Sequence, residues 1–188
     1  MDPELDIARR SGLPEHLRVL ADRYPRALWR GHDNFSELTA FWLERHLMFR
    51  DLLDRITALS ETQIDAPNDR FGAELSRYTG FFLNQLHGHH TIEDTHYFPK
   101  LTAFDKRLAR GFDMLDADHH ALEGHLHGLA DHTNAVLSRL NTGASARDAM
   151  GALHGVQQEF ATFLNRHLVD EEEIIVPLIL EYGPEIEI

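Results

Sequence analysis

The chain has no cysteine, which excludes disulfides, thiolate metal sites, iron–sulfur ligation and a cysteine nucleophile. It also lacks an apolar run near the roughly 18 residues that a membrane span needs. The opening Met1-Asp2-Pro3-Glu4-Leu5-Asp6 is acidic and carries no apolar leader stretch, so the cytoplasm is the expected address. Basic residues are scarce, with 18 Lys and Arg against 31 Asp and Glu, a formal charge of −13. Nucleic acid and anionic membranes both require a basic face, so neither is an expected partner. There is no Gly-rich phosphate loop and no Gly-x-Ser-x-Gly, which leaves nucleotide and serine-hydrolase chemistry without a footing.

What the chain has in excess is histidine, 14 residues in all. Imidazole is the commonest metal ligand in proteins, so what matters is whether these histidines are placed like ligands.

Apolar residues make up 43% of the chain, enough for the core of one domain. Four long segments carry apolar stripes at helical period. The first runs from about Asp33 to Ser60, with Phe35, Leu38, Trp42, Phe49, Leu53 and Ile56 on one face, and the second from about Arg70 to Phe98 with Leu75, Phe82 and Leu86. The third spans about Asp105 to Leu140, ended by Asn141-Thr142-Gly143; Ser145 with Asp148 resembles a capping box for the fourth, which reaches about Leu180. Its stripe is Leu153, Val156, Phe160, Leu164, Ile174 and Leu178. The spacing predicts an all-α, up-down-up-down four-helix bundle over residues 31–182. Residues 1–30 are an extension packing on the bundle, with a short helix from Pro14 to Arg23, and 183–188 an acidic tail.

Two passages match at an offset of 78 residues: Leu86, His89, Glu93, Asp94 and Pro99 align with Leu164, His167, Glu171, Glu172 and Pro177, and Phe82 with Phe160. The repeated unit is His-x-x-x-Glu, which puts both side chains on one helix face, and that face continues the apolar stripe. A carboxylate aimed at a core costs several kcal/mol unless a partner or a metal neutralises it. The core-facing stretches offer no matching Lys or Arg. On the other two helices, at an offset of 73 residues, Trp42, His46 and Phe49 align with Leu115, His119 and Leu122. His46 and His119 thus interrupt their stripes at equivalent places. His32 rivals His46, but the two lie about 21 Å apart along a straight helix, and the repeat selects His46.

Four His and two Glu exceed the needs of one tetrahedral zinc and suit two octahedral-leaning ions bridged by carboxylates. The mixed donor set favours iron over magnesium or copper(I) and leaves manganese open. His90, next to His89, is a candidate further ligand or a support for the ligands. Tyr97 is a candidate hydrogen-bond donor to a metal-bound ligand, whereas Trp42, Phe49 and Phe82 read as core packing. Asp94 and Glu172 are placed to accept a proton from a ligating imidazole or to face solvent.

This pattern resembles the hemerythrin-like HHE cation-binding family: a lone His on the first helix, His-x-x-x-Glu on the second, His on the third, and His-x-x-x-Glu on the fourth. The resemblance covers about residues 32–180. It implies an oxo- or hydroxo-bridged di-iron pair on His46, His89, Glu93, His119, His167 and Glu171, with the two glutamates bridging. One departure stands out. Oxygen-carrying members place two histidines four apart on the third helix, whereas here His119 is followed at that spacing by Glu123, which is a seventh ligand, a group bonded to a ligand, or a solvated side chain. Binding of O2, NO or a related small molecule for sensing, storage or detoxification is the expected function. An oxidoreductase turning over peroxide, O2 or NO is the alternative, toward which a metal-bound Glu123 tilts the balance, and iron storage is the third. Manganese and zinc suit the expected site less well than iron.

Overall fold

The computed structural model describes residues 3–65 and 67–186. Among these no strand occurs, and four of five α-helices are long: α1 (Glu37–Thr62), α2 (Phe71–Ile92), α4 (Ala109–Asn141) and α5 (Arg147–Tyr182), with the short α3 (Phe98–Leu101) after α2. The helical bundle read from the stripes is therefore present. No helix among the described residues is long and apolar enough to cross a membrane.

The helix ends follow local chemistry. Ser36 Oγ accepts from the Thr39 N–H at 3.1 Å and caps α1. At the end of α4, Gly143 has φ +68°. Its N–H bonds the Leu140 carbonyl while that of Ala144 reaches the Arg139 carbonyl, a pairing that requires the left-handed residue glycine tolerates. The start of α5 lies one residue beyond the expected Ser145 cap: the Ala146 carbonyl accepts the first helical bond, from Met150.

Between α2 and α3 the chain widens into a π turn, Glu93–Tyr97, in which the Phe98 N–H donates to the Glu93 carbonyl five residues back. Pro99 follows, and its missing N–H removes one of the bonds that would hold a tighter α turn. The duplicated stretch of α5 passes through Glu171–Ile175 without such a turn and holds Pro177 inside the helix. The π turn is thus a local departure from the internal repeat, and it begins at Glu93.

The Cα trace divides into two compact units. One comprises residues 1–47, 90–119 and 165–188, of which residues 1, 2, 187 and 188 lie outside the described set, as does that part of the expected tail; the other comprises 48–89 and 120–164. In the second unit, Phe82 meets Phe160 edge to face at 5.6 Å between centroids and Phe49 at 6.5 Å, so two residues aligned by the repeat touch in the core. Gln157, fully buried, donates to Ser60 Oγ at 3.0 Å and takes the inward place expected of Val156.

In the first unit, Leu5, Leu13, Leu17 and Leu20 of the N-terminal extension join Phe98, Leu115, Ile174 and Leu178 in one core. The expected helix from Pro14 to Arg23 is reduced to a 3-10 turn, Glu15–Leu17, followed by isolated turns. Short helices are marginal in isolation, and here the buried leucines hold the segment instead. After Pro25 a second 3-10 helix, Arg26–Gly31, seats Trp29 against Val176 and Leu180. Leu38, expected on the inner stripe of α1, is 45% exposed, and Thr39 beside it is buried.

Candidate metal centre

Two groups of side chains converge, each with its ligand atoms within 4.8 Å of one another: His46, His89, Glu93 and Glu171, and His90, His119 and His167. All are buried except His89, which is half-buried and packs on Phe49 at 5.1 Å between centroids. The six residues expected as ligands fall within these groups, and His90 joins them. Its ring stacks on that of His119 at 4.2 Å and meets His167 edge-on at 5.3 Å.

Glu123 belongs to neither group. Its carboxylate is 49% exposed and lies 3.3 Å from Nδ1 of His87, so its polar end is satisfied at the surface. Of the two further candidates, His90 and not Glu123 is among the converging side chains. His32 is also apart, since its Nδ1 accepts the Asn34 N–H at 3.2 Å and closes a turn. Tyr97, in the π turn, packs against the apolar core around Phe98 and Phe112.

The two glutamates stand between the groups. Glu171 Oε2 lies 3.5 Å from His46 Nε2 and 3.6 Å from His167 Nε2, and Glu93 Oε2 is 3.9 Å from His119 Nε2. Three of the imidazoles are held from behind by carboxylates. His46 Nδ1 meets Glu172 Oε1 at 3.1 Å, His119 Nδ1 meets Asp94 Oδ1 at 2.7 Å, and His167 Nδ1 meets Asp118 Oδ2 at 3.3 Å. A carboxylate on Nδ1 fixes the tautomer that carries its proton there and leaves Nε2 a lone pair aimed at the site. The first two contacts are equivalent under the internal repeat, since Asp94 aligns with Glu172 as His119 does with His46. Duplication thus extends to the groups behind the ligands.

Two observations test whether a cation fits. The Nε2 atoms of His119 and His167 lie 3.2 Å apart, and with both Nδ1 atoms bonded to carboxylates the two lone pairs face each other. That contact is repulsive unless a cation or proton lies within reach of both. Glu171 is fully buried and neither of its oxygens has a hydrogen-bond partner, a desolvation cost of several kcal/mol for a charged group. Burial, followed by the neighbouring Glu93 carboxylate, pushes the Glu171 carboxyl well above the usual range. Burial also pushes His167 down, against the opposing pull of Asp118, which keeps its ring neutral and its lone pair available. The donors present fit a bound cation.

Sequence reasoning missed several contributors. Trp42, read as packing, donates its indole N–H to Glu93 Oε1 at 2.8 Å. Arg26 and the buried Arg10 pair with Glu172 and Asp118, the carboxylates behind His46 and His167. No local motif announces these contacts, because each joins residues far apart in the chain.

The family model of the hemerythrin HHE cation binding domain matches residues 37–179. No curated protein and no solved structure gives a significant match. With that model covering most of its length, the chain belongs to the hemerythrin HHE cation-binding domain family.

Proposed function

We propose that this is a non-haem di-iron protein that binds O2, NO or a related small molecule, in sensing, storage or detoxification. The observation that carries the reading is the pairing of the two groups of imidazoles and carboxylates through Glu171, near His46 and His167, and Glu93, near His119. His46, His89, Glu93 and Glu171 would hold one ion and His90, His119 and His167 the other, with the glutamates bridging. Borderline imidazole and hard carboxylate donors suit iron. Bound there, an iron pair supplies reversible one- and two-electron chemistry and coordination positions for an outside ligand. Five imidazoles and two carboxylates carry fewer donor atoms than two six-coordinate ions require, which leaves room for such a ligand.

The chain's own groups do the rest. Asp94, Asp118 and Glu172 orient the imidazoles and keep their protons on Nδ1. Trp42 holds one oxygen of Glu93. Phe98, its ring stacked at 5.3 Å on His119, with Leu115 and Ile174 in the adjoining core, limits entry of water. Binding is favoured over turnover because Glu123, the carboxylate on which the catalytic reading leaned, is occupied at the surface by His87.

The test is anaerobic loading with ferrous iron, followed by separate addition of O2, NO and hydrogen peroxide under spectroscopic observation. New absorption bands with O2 or NO that reverse on removal of the gas are expected. Sustained consumption of peroxide without such reversible bands would favour the enzyme, and many more than about two ions per chain would favour storage.

A further inference from the structure

The N-terminal extension reaches the centre through two arginines. The Arg10 side chain is only 2% exposed. Its Nη1 donates to Asp118 Oδ1 at 3.0 Å and to the Leu5 carbonyl at 2.7 Å, its Nη2 to Asp118 Oδ2, and its Nε to Asp170 Oδ2 at 2.7 Å. Asp118 is the carboxylate behind His167. Arg26, opening the second 3-10 helix, donates Nη1 to Glu172 Oε2 at 2.6 Å, while the other oxygen of Glu172 lies behind His46. His46 and His167 belong to different ligand groups. Each group therefore has one imidazole at the end of a chain that runs from guanidinium to carboxylate to imidazole, and both guanidiniums lie outside the residues matched by the family model, 37–179.

Resting on the di-iron reading, we propose that Arg10 and Arg26 are positioning residues of the metal centre. They hold the carboxylates that orient His167 and His46, and in doing so set how firmly iron is retained and where its reduction potential lies. The physical reason is charge. A carboxylate bonded to an imidazole Nδ1–H makes the ring a stronger donor to a metal. A guanidinium on the same carboxylate draws charge away from that bond and adds positive charge nearby, and both effects favour the reduced ion. In retention geometry opposes charge and outweighs it, since a bidentate guanidinium fixes the plane of Asp118 and thereby the ring of His167. Arg10 is enclosed, whereas the Arg26 side chain is 51% exposed and screened by solvent and salt. Arg10 therefore has the larger effect. Arg166 also grips Asp170 and accompanies the extension by donating to the Ser11 carbonyl at 2.9 Å, so Asp170 keeps a cation when Arg10 is changed.

The experiment compares the full chain with Arg10→Gln, Arg10→Lys, Arg26→Gln and the control Arg18→Gln, which removes an exposed pair with Asp22. Each protein is loaded anaerobically with ferrous iron, checked for fold by circular dichroism, and followed by iron release to a chelator and by redox titration. Arg10→Gln is expected to speed release by about 10–100-fold and Arg26→Gln by several-fold, with the potential lowered in both. Arg10→Lys, which keeps the charge, should restore most of the potential but not the retention. Arg18→Gln should match the parent. If Arg10→Gln does not fold, Arg10→Lys and Arg26→Gln decide the matter. Folded variants with the parent's release rate and potential overturn the proposal, as does faster release at an unmoved potential, which reduces the arginines to packing. A parent that loads no iron fails the di-iron reading itself, and is recognised before any variant is compared.

Discussion

The indole N–H of Trp42 donates to Oε1 of Glu93 at 2.8 Å, whereas Glu171, its counterpart in the repeat, has no such donor because Leu115 aligns with Trp42. The two bridging candidates are therefore unequal, since one oxygen of Glu93 has a hydrogen-bond donor and neither oxygen of Glu171 does. Trp42→Phe keeps an aromatic ring and removes the donor. Leaving a buried acceptor without its partner costs about 1–3 kcal/mol, so iron release at neutral pH is expected to quicken about tenfold or more. An unchanged rate would place the indole among packing groups.

His90 and Glu123 are the two further ligand candidates, and of these only His90 joins a converging group. Leu168 aligns with His90 in the repeat and is fully buried, so leucine is a side chain that this kind of position accepts. His90→Leu should keep the helical fold and lose about half the bound iron, while Glu123→Gln should keep all of it. Metal analysis after desalting reads both. The opposite result would return the seventh ligand to α4.

Core packing makes a prediction independent of metal. Phe160 is fully buried and meets Phe82 at 5.6 Å. Phe160→Ala should destabilise the protein by about 3–5 kcal/mol, measured by urea unfolding against the parent at matched iron loading. A loss under about 1 kcal/mol would mean that the aromatic cluster is not a centre of the fold.

Acid sensitivity has a site in the same core. His125 lies on Phe160 and Phe163 at 5.3 and 4.4 Å, and burial pushes its pKa below the usual 6.5, with Glu159 opposing. The unfolded chain then takes up this proton more readily than the folded one. The stability associated with neutral His125 is complete above pH 6.5 and is lost as pH falls through the depressed folded value. His125→Phe should flatten the difference in urea midpoint between about pH 7.5 and about pH 5.5. A parent and variant with the same pH slope would contradict this assignment.

The helices and the inner histidines were legible because both follow a period. His89-x-x-x-Glu93 and His167-x-x-x-Glu171 repeat at one offset, and His46 and His119 at another, so burial of the stripe carries the ligands with it. Asp94 and Glu172 were readable either as partners of imidazole or as solvent-facing groups, and their contacts with His119 and His46 are of the first kind. His90 was harder to place, since on a regular helix it turns about 100° from His89; its convergence with His119 and His167 depends on how the helices meet. Glu123 was open by spacing to three readings, as a ligand, as a group bonded to a ligand or as a solvated side chain, and only its surface contact with His87 on another helix distinguishes among them. The π turn at Glu93 and the reach of Arg10 and Arg26 are tertiary facts. They arise from contacts between segments more than a hundred residues apart, as in Arg10 with Asp118 and Arg26 with Glu172, or from competition between backbone bonds around Pro99, and neither leaves a periodic trace.

The most direct test is the count of iron bound per chain after anaerobic loading and removal of loose metal, in the parent and in His89→Ala, His167→Ala and His154→Ala. His154 is a partly exposed residue bonded to Gln158 and serves as the reference. About two ions are expected in the parent and in His154→Ala, and about one or fewer in the other two. A parent that holds well under two, or four proteins that retain iron alike, would contradict the assignment of these buried imidazoles and carboxylates to a di-iron centre.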